Sequence, residues 1–414
     1  MDGSRRTGDN FRMSVPFPEE KTQWAIMWVA FGGGIVAATH MGKLPAALPD
    51  IMAELNAGLV MGGWIASMIS FTGFALGLVS GTIGDRIGQR RVLILGLLII
   101  SAGSLIGTFA RSGEIMLLAR FIEGIGYSAA TVAGAGLVTH VTSDKDRKWS
   151  LGIWSSHVPV GFAGMLIGGA LVLNIADWRT LWLVSTITTV FWAVVAFFVT
   201  SGWRRRGGGV GGARLVRNVT ACLKQPGAVL VAMCFAIYAA QHISMMAWLP
   251  TYMREEYNAS PLFAATVPAV VLLFNAGGNW MSAWAMGRGM QSWLLLFVGA
   301  LGMGLTQFGV FSTSLAEELR LACALMFGIF GGMIPAAALG SVAVYTPAPA
   351  QIGTMNGLMV MGTNAGMLFG PPSLAAVRAS TGSWNDVIWL VATIAAVGVM
   401  LALISRPLER RANQ

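Results

Sequence analysis

The amino-acid sequence predicts an all-α membrane protein with twelve transmembrane helices in two six-helix bundles, and three observations predict it. Hydrophobic residues make up 55% of the 414 residues and charged residues 11%, with a mean hydropathy of +0.67. That balance has too little charge for a soluble domain. The apolar residues fall into twelve runs of about 20 residues, the length a helix rising 1.5 Å per residue needs to cross a hydrocarbon core of about 30 Å. The basic residues are placed asymmetrically. Of 27 Lys and Arg, 20 fall before Trp24, at 86–91, 145–148, 204–224, at Arg288 and after Ser405, all in segments sharing one side of the membrane. Arg111, Arg179, Arg254, Arg320 and Arg378 fall in the opposite loops, and Lys43 and Arg120 lie inside spans. By the positive-inside rule both termini are cytoplasmic, and the formal charge of +9 orients the chain rather than binding nucleic acid.

In chain order, a polar tail (1–22) without the pattern of a cleavable signal peptide precedes runs at 23–47, 59–80, 91–110, 114–140, 149–173 and 179–201. A basic, glycine-rich linker (202–225) follows. The second set of runs is 226–252, 261–286, 291–312, 319–344, 351–377 and 385–405, with a short tail at 406–414. Long runs rather than short alternating segments make helix the spanning structure. The linker divides the chain into bundles 23–201 and 226–405, which carry traces of a repeat. Ala163-Gly-Met-Leu-Ile-Gly-Gly169 recurs as Ala365-Gly-Met-Leu-Phe-Gly-Pro371, and Leu48-Pro-Asp-Ile-Met52 as Leu249-Pro-Thr-Tyr-Met253, at offsets of 202 and 201 residues. Six helices is an even number, so the halves run parallel and a solute site is expected between them near the midplane. Gly161, Gly164, Gly168 and Gly169 in the fifth helix, and Gly362, Gly366 and Gly370 in the eleventh, have the spacing that lets backbones approach closely in lipid. The alternative is that these helices bend or slide there, with Pro159, Pro371 and Pro372 adding kinks.

The tight turn Gly81-Thr-Ile-Gly-Asp-Arg-Ile-Gly-Gln-Arg-Arg91, set between two spans, resembles the cytoplasmic signature between helices two and three of the major facilitator superfamily. Leu118-Ala-Arg-Phe-Ile-Glu-Gly-Ile-Gly-Tyr127 resembles that family's fourth-helix signature. The resemblance spans all twelve helices. It implies alternating access, a latch built by Asp85, Arg86, Arg90 and Arg91 that reaches the opposing half, a role for Arg120 in proton coupling, and a monomer. Gly287-Arg-Gly-Met290, the equivalent turn of the second half, lacks the acid, so the latch would be asymmetric. Met165 stands where the antiporter signature favours proline, against a drug antiporter. Short segments such as Gly42-Lys-Leu-Pro-Ala-Ala-Leu-Pro49 resemble the cyanate-permease-like branch of small-anion carriers.

A charge at the centre of a span costs on the order of 2.5–3.5 kcal/mol, so each one needs a reason. His40 and Lys43 share a face of the first helix, Lys43 about four residues from the end of its run. Arg120 and Glu123 share a face of the fourth. The three charges sum to +1, so if Glu123 pairs with one cation the other is free for an anion. Glu123 is the carboxylate set well inside a span, hence the proton carrier if the chain has one. The equal alternative is a buried ion pair that locks two helices. Gln241 and His242 in the seventh helix, Asn275 in the eighth and Asn364 in the eleventh are the neutral candidates for a solute cavity, with interhelical bonding as the alternative for each. The four histidines and three cysteines have no metal-ligand spacing, no cofactor is implied, and no nucleophile–base pair suggests an enzyme.

The expected function is secondary transport of a small organic or inorganic anion, with a co- or counter-transported proton. The expected setting is the lipid bilayer of a bacterial inner membrane. A proton-coupled exporter of amphiphiles, whose adaptable pocket the 24 Met and 15 Trp would furnish, and a transporter-like sensor are the alternatives.

Overall fold

Among the described residues, twelve helices fall on the twelve apolar runs. A computed structural model describes residues 21–77, 88–203, 219–346 and 352–412. The first half holds α1 (Trp24–Glu54), α2 (Leu59–Leu76), α3 (Gln89–Thr108), α4 (Gly113–Val141), α5 (Lys145–Leu173) and α6 (Trp178–Val199). The second holds α7 (Pro226–Tyr257), α8 (Pro261–Gly287), α9 (Ser292–Phe311), α10 (Glu317–Gly340), α11 (Ile352–Thr381) and α12 (Val387–Ala412). No strand occurs among the described residues.

Local chemistry sets many of the ends. Ser112, Asp177 and Ser260 cap α4, α6 and α8 through their side-chain oxygens, and Pro226 and Pro261 open α7 and α8. The hydroxyl and backbone N–H of Thr180 hold the Asp177 carboxyl below its usual range. α2 tightens into a 3-10 turn over Met68–Ser70, and α5 is interrupted at Ser156.

Among the described residues, eleven helices are long and apolar enough to cross a membrane by length and composition. α11 is the exception in composition. Its 30 residues are long enough, but asparagines, glycines and the pair Pro371–Pro372 dilute its apolar character. α1 and α7 run past the expected ends at 47 and 252, carrying Pro45, Pro49 and Pro250 inside them. Helices in lipid tolerate such prolines because neighbouring helices re-satisfy the freed backbone groups. This corrects the depth of Lys43, which lies eleven residues before the end of α1 rather than four.

α1 packs on α4, α5 and α6, and α3 lies against α4 and α6. In the second half α7 packs on α11 and α12, while α10 packs on α8 and α9. The halves meet where α2 crosses α11, α5 crosses α8 and α1 touches α7. At the end carrying the α1–α2 turn, Arg254 of α7 reaches across to Asp50 of α1 at 3.1 Å. The outer faces are apolar, with Phe198, Leu273, Trp280 and Trp389 each more than two-thirds exposed, as a lipid-facing surface requires.

The sequence repeat reappears in three dimensions. Asn56 and Asn258 both adopt left-handed backbone just past α1 and α7, with φ of 51° and 50°. Glu54 accepts the indole N–H of Trp178 at 2.6 Å and a guanidinium N–H of Arg179 at 2.7 Å. Glu255 likewise accepts the indole N–H of Trp384 at 2.8 Å and a guanidinium N–H of Arg378 at 3.3 Å. One Glu–Trp–Arg clamp thus ties the end of the first helix of each half to the last part of that half.

Candidate functional site

Five helices of the first half, α1, α2, α3, α4 and α6, contribute to a cluster around the intramembrane charges. Lys43 donates from Nζ to Glu123 Oε1 at 2.6 Å, to Ser104 of α3 at 2.9 Å and to His40 Nδ1 at 3.0 Å. The ammonium also lies 4.3 Å from the ring centroid of Trp182 in α6, a cation–π distance. Arg120 Nη1 donates to Glu123 Oε2 and, at 2.7 Å, to the His40 carbonyl. Its Nε reaches the Ile65 carbonyl of α2 at 3.3 Å. The other ring nitrogen of His40, Nε2, meets the Thr189 hydroxyl of α6 at 2.8 Å. His40, Lys43 and Glu123 are 0% exposed and Arg120 is 1% exposed, so the network is wholly removed from water.

Two glycines make this convergence possible. A Cβ on Gly103 of α3 would stand 2.7 Å from the Glu123 backbone nitrogen, and one on Gly124 would stand 2.5 Å from the Ile69 carbonyl. α3 and α2 therefore approach α4 on either side of Glu123, and the α2 approach brings Ile65 within reach of Arg120. Each carboxylate oxygen receives a charged donor, which is how a buried carboxylate is kept ionised. With neutral His40 the cluster carries a net charge of +1.

Arg120 lines a small cleft with Met41, Ile69, Phe162, Ile243 and Ala247, the last two from α7, so the residue borders the seam between the halves. Among the described residues Nη2 of Arg120 has no hydrogen-bond partner. The cleft offers only about 20 Å³ to water centres, room for about one water molecule. A solute would need the halves to part. A groove of about 650 Å³ on the outer face of α9 and α12, lined by Leu305, Phe308, Met400 and other apolar residues, is lined by no polar side chain that could orient a solute and fits lipid contact instead.

The neutral candidates divide. His242 lies between the rings of Tyr238 (5.3 Å between centroids) and Phe327 (6.1 Å), with its Nδ1 buried and unpartnered. Asn275 of α8 donates to the Tyr238 hydroxyl at 3.4 Å. Gln241 is buried with its Oε1 unpartnered. Asn364 stands apart from these. It faces Gly73 where α2 crosses α11, and its amide donates to the Val360 carbonyl one turn back.

In the candidate latch, Asp85 and Arg86 lie outside the described residues. Arg90 does not reach the opposing half: it donates to Thr200 Oγ1 at 2.8 Å and to the Phe197 carbonyl at 2.9 Å, both at the end of α6. The start of α3 packs beside the end of α6, so these acceptors lie closer than any acid of the other half. Arg91 is exposed. Ser104, Trp182 and Thr189 are the members of the cluster that sequence reasoning missed. Nothing in the sequence separates them from Ser185 or Thr186, whose hydroxyls bond carbonyls of their own helix.

Two six-helix halves of membrane-length helices, the first enclosing a sealed charged cluster, are the architecture of a polytopic membrane protein. A family model described as Major Facilitator Superfamily matches residues 29–322. The chain is 22% identical over 393 residues to NiaP of Bacillus subtilis, a protein named for niacin/nicotinamide transport, covering 92% of this chain and 96% of that one. It is 28% identical over 181 residues to the uncharacterized MFS-type transporter Rv1250 of Mycobacterium tuberculosis, and that match spans 43% of this chain but only 31% of Rv1250. Among solved structures, an inward-facing, occupied bacterial homolog of the human lysosomal transporter Spinster superposes with a TM-score of 0.74. That likeness covers 95% of this chain and 97% of the other at 14% identity. The chain belongs to the Major Facilitator Superfamily and is an integral membrane transporter.

Proposed function

We propose that the protein is a secondary transporter carrying a small organic anion by alternating access between the halves 23–201 and 226–405, with 202–225 as their linker. The observation that carries this reading is Arg120. Its charge is only partly spent on Glu123, which Lys43 also neutralises, and the residue lines the cleft between the halves. Gln241, His242 and Asn275 are the neutral groups of the second half proposed to meet the solute once the halves part; in this arrangement Ile243 and Ala247 face the cleft instead. The likeness to NiaP supports a solute of this size, since niacin is a carboxylate at neutral pH and nicotinamide is its neutral isostere. The 20 cations sharing one side support cytoplasmic termini in a bacterial inner membrane. The proposed form is a monomer.

The test is a thermal-shift screen of the purified full chain with nicotinate, nicotinamide, acetate, acetamide and a hydrophobic cation. A ligand at 100 times its Kd stabilises the folded state by about 2.7 kcal/mol. The carboxylates are expected to raise Tm and their amides not to, and Arg120→Gln is expected to abolish the difference. Equal shifts for acids and amides, or a shift with the hydrophobic cation alone, would overturn the anion reading and favour an exporter of amphiphiles.

A further inference from the structure

The proton positions around His40 follow from the donors that meet it. An ammonium group has no acceptor, so the contact from Lys43 makes His40 Nδ1 an acceptor. The ring proton then sits on Nε2 and is donated to Thr189 Oγ1, whose own proton goes to the Ser185 carbonyl. In this tautomer the Nδ1 lone pair faces Glu123 Oε1 across 3.2 Å with no hydrogen between them. Two acceptors at hydrogen-bond distance leave a place for one proton, and the Lys43 ammonium stands in for it from the side, bonded to both atoms.

We propose that the His40–Glu123 contact is the proton-binding site of the transporter, and that His40 takes up one proton with each monoanion, making transport an electroneutral symport. The proposal rests on the reading that the anion meets Arg120. A bound monoanion lowers the charge of the cluster from +1 to zero, and a proton on His40 restores it. When the halves part, the Lys43-to-Nδ1 hydrogen bond breaks, a hydronium ion of the solvent gives its proton to Nδ1 and leaves as water, and Nδ1–H donates to Glu123 Oε1. Lys43 keeps its bonds to Glu123 and Ser104. Both N–H groups of the imidazolium then have acceptors, Glu123 Oε1 and Thr189 Oγ1. Glu123 is the poorer place for the proton, because a neutral carboxyl would leave Lys43 and Arg120 buried without a counter-charge. The titratable and charged groups that meet His40 are Lys43 on its own helix and Arg120 and Glu123 on α4. α3 and α6 bring Ser104, Trp182 and Thr189, and α7 brings apolar Ile243 and Ala247 to the cleft alongside. The histidine of α5, His157, lies against Gly34, nearly two turns along α1.

The experiment is nitrogen-15 NMR of the histidine-labelled full chain at neutral pH without any anion, with the His40 signals identified by His40→Gln. In the wild type His40 is expected neutral with its proton on Nε2. In Lys43→Met, which removes the stand-in, it is expected doubly protonated, and in Lys43→Met with Glu123→Gln neutral again. A wild-type proton on Nδ1, or a neutral His40 in folded Lys43→Met, overturns the proposal. Where Lys43→Met does not fold, Arg120→Gln serves instead. It removes one cation, and the pH at which His40 titrates is expected to rise; an unchanged or lower midpoint overturns the proposal. Because no anion is added, failure here is separate from failure of the anion reading.

Discussion

At the scale of single residues, the cluster of Lys43, Arg120 and Glu123 is an ion triad without water, and the three members are not equivalent. Glu123 is the shared counter-charge, so Glu123→Ala leaves two buried cations unpaired. Removing one partner of a buried ion pair costs about 3–5 kcal/mol, whereas replacing a whole triad by well-packed apolar groups is often neutral. Glu123→Ala is therefore expected to lower the detergent-solution melting temperature sharply. The triple variant Lys43→Met, Arg120→Met, Glu123→Leu should recover most of that loss while binding no anion. A single Glu123→Ala variant that melts like the wild type would mean that the triad is not the ion network its distances describe. The charged members were legible in the sequence, because an ionisable group inside an apolar run stands out and its helical spacing gives its face. The groups that finish the network were not legible. Thr189 has the same sequence context as neighbours that merely bond back to their own helix, and only the crossing of α1 with α6 sets His40 beside it.

At the scale of helices, one sequence pattern has two structural outcomes. Glycines three and four residues apart in α5 and α11 suggested close packing for both. In α11 the inference holds: a Cβ on Gly366 would lie 2.0 Å from the Ala236 carbonyl oxygen of α7, and one on Gly362 or Gly370 would lie 2.5 Å from the carbonyl oxygen of Ala232 or Ala240. In α5 it holds for Gly161, which faces the Ile35 carbonyl, but Gly164 and Gly168 have nothing within 4 Å. Gly366→Ala should therefore force α7 and α11 apart, in the range of about 1–3 kcal/mol typical of overpacking. Gly164→Ala should be neutral or stabilising, since alanine is favoured over glycine in a helix by about 1 kcal/mol. Thermal melts of the two variants check this, and equal destabilisation of both would refute the division. Spacing gives the face a glycine occupies but not the distance to the next helix, which is why the sequence could not separate the two cases. The same limit applies to helix ends. The apolar runs end at 47 and 252, yet α1 and α7 continue past those points, with Pro45, Pro49 and Pro250 inside them, to the Glu–Trp–Arg clamps at Glu54 and Glu255.

At the scale of the whole molecule, the two halves were visible as a period of about 201 residues. The state in which they meet was not visible, since it depends on contacts between residues some 200 positions apart. Asp50 and Arg254 form such a contact at the end bearing the α1–α2 and α7–α8 turns, where the charged cluster is sealed from water. Their side chains are 41% and 30% exposed, so the pair belongs to the class worth about 0–1 kcal/mol. That is too little to hold the fold together, but enough to shift a balance between two arrangements of the halves, because about 1.4 kcal/mol corresponds to a factor of ten in an equilibrium constant. Arg254→Ala and Asp50→Ala are each expected to raise the population open at this end, by up to about fivefold, without lowering Tm by more than a degree or two. The charge swap Asp50→Arg with Arg254→Asp should return it towards the wild-type value. Spin labels on cysteines introduced at Ala53 and Glu256, both exposed and flanking the pair, report that population as a second, longer distance. Single variants with wild-type distance distributions would show that apolar packing alone closes this end. A swap that fails to restore closure when the singles open it would assign the effect to one side chain rather than to the pair.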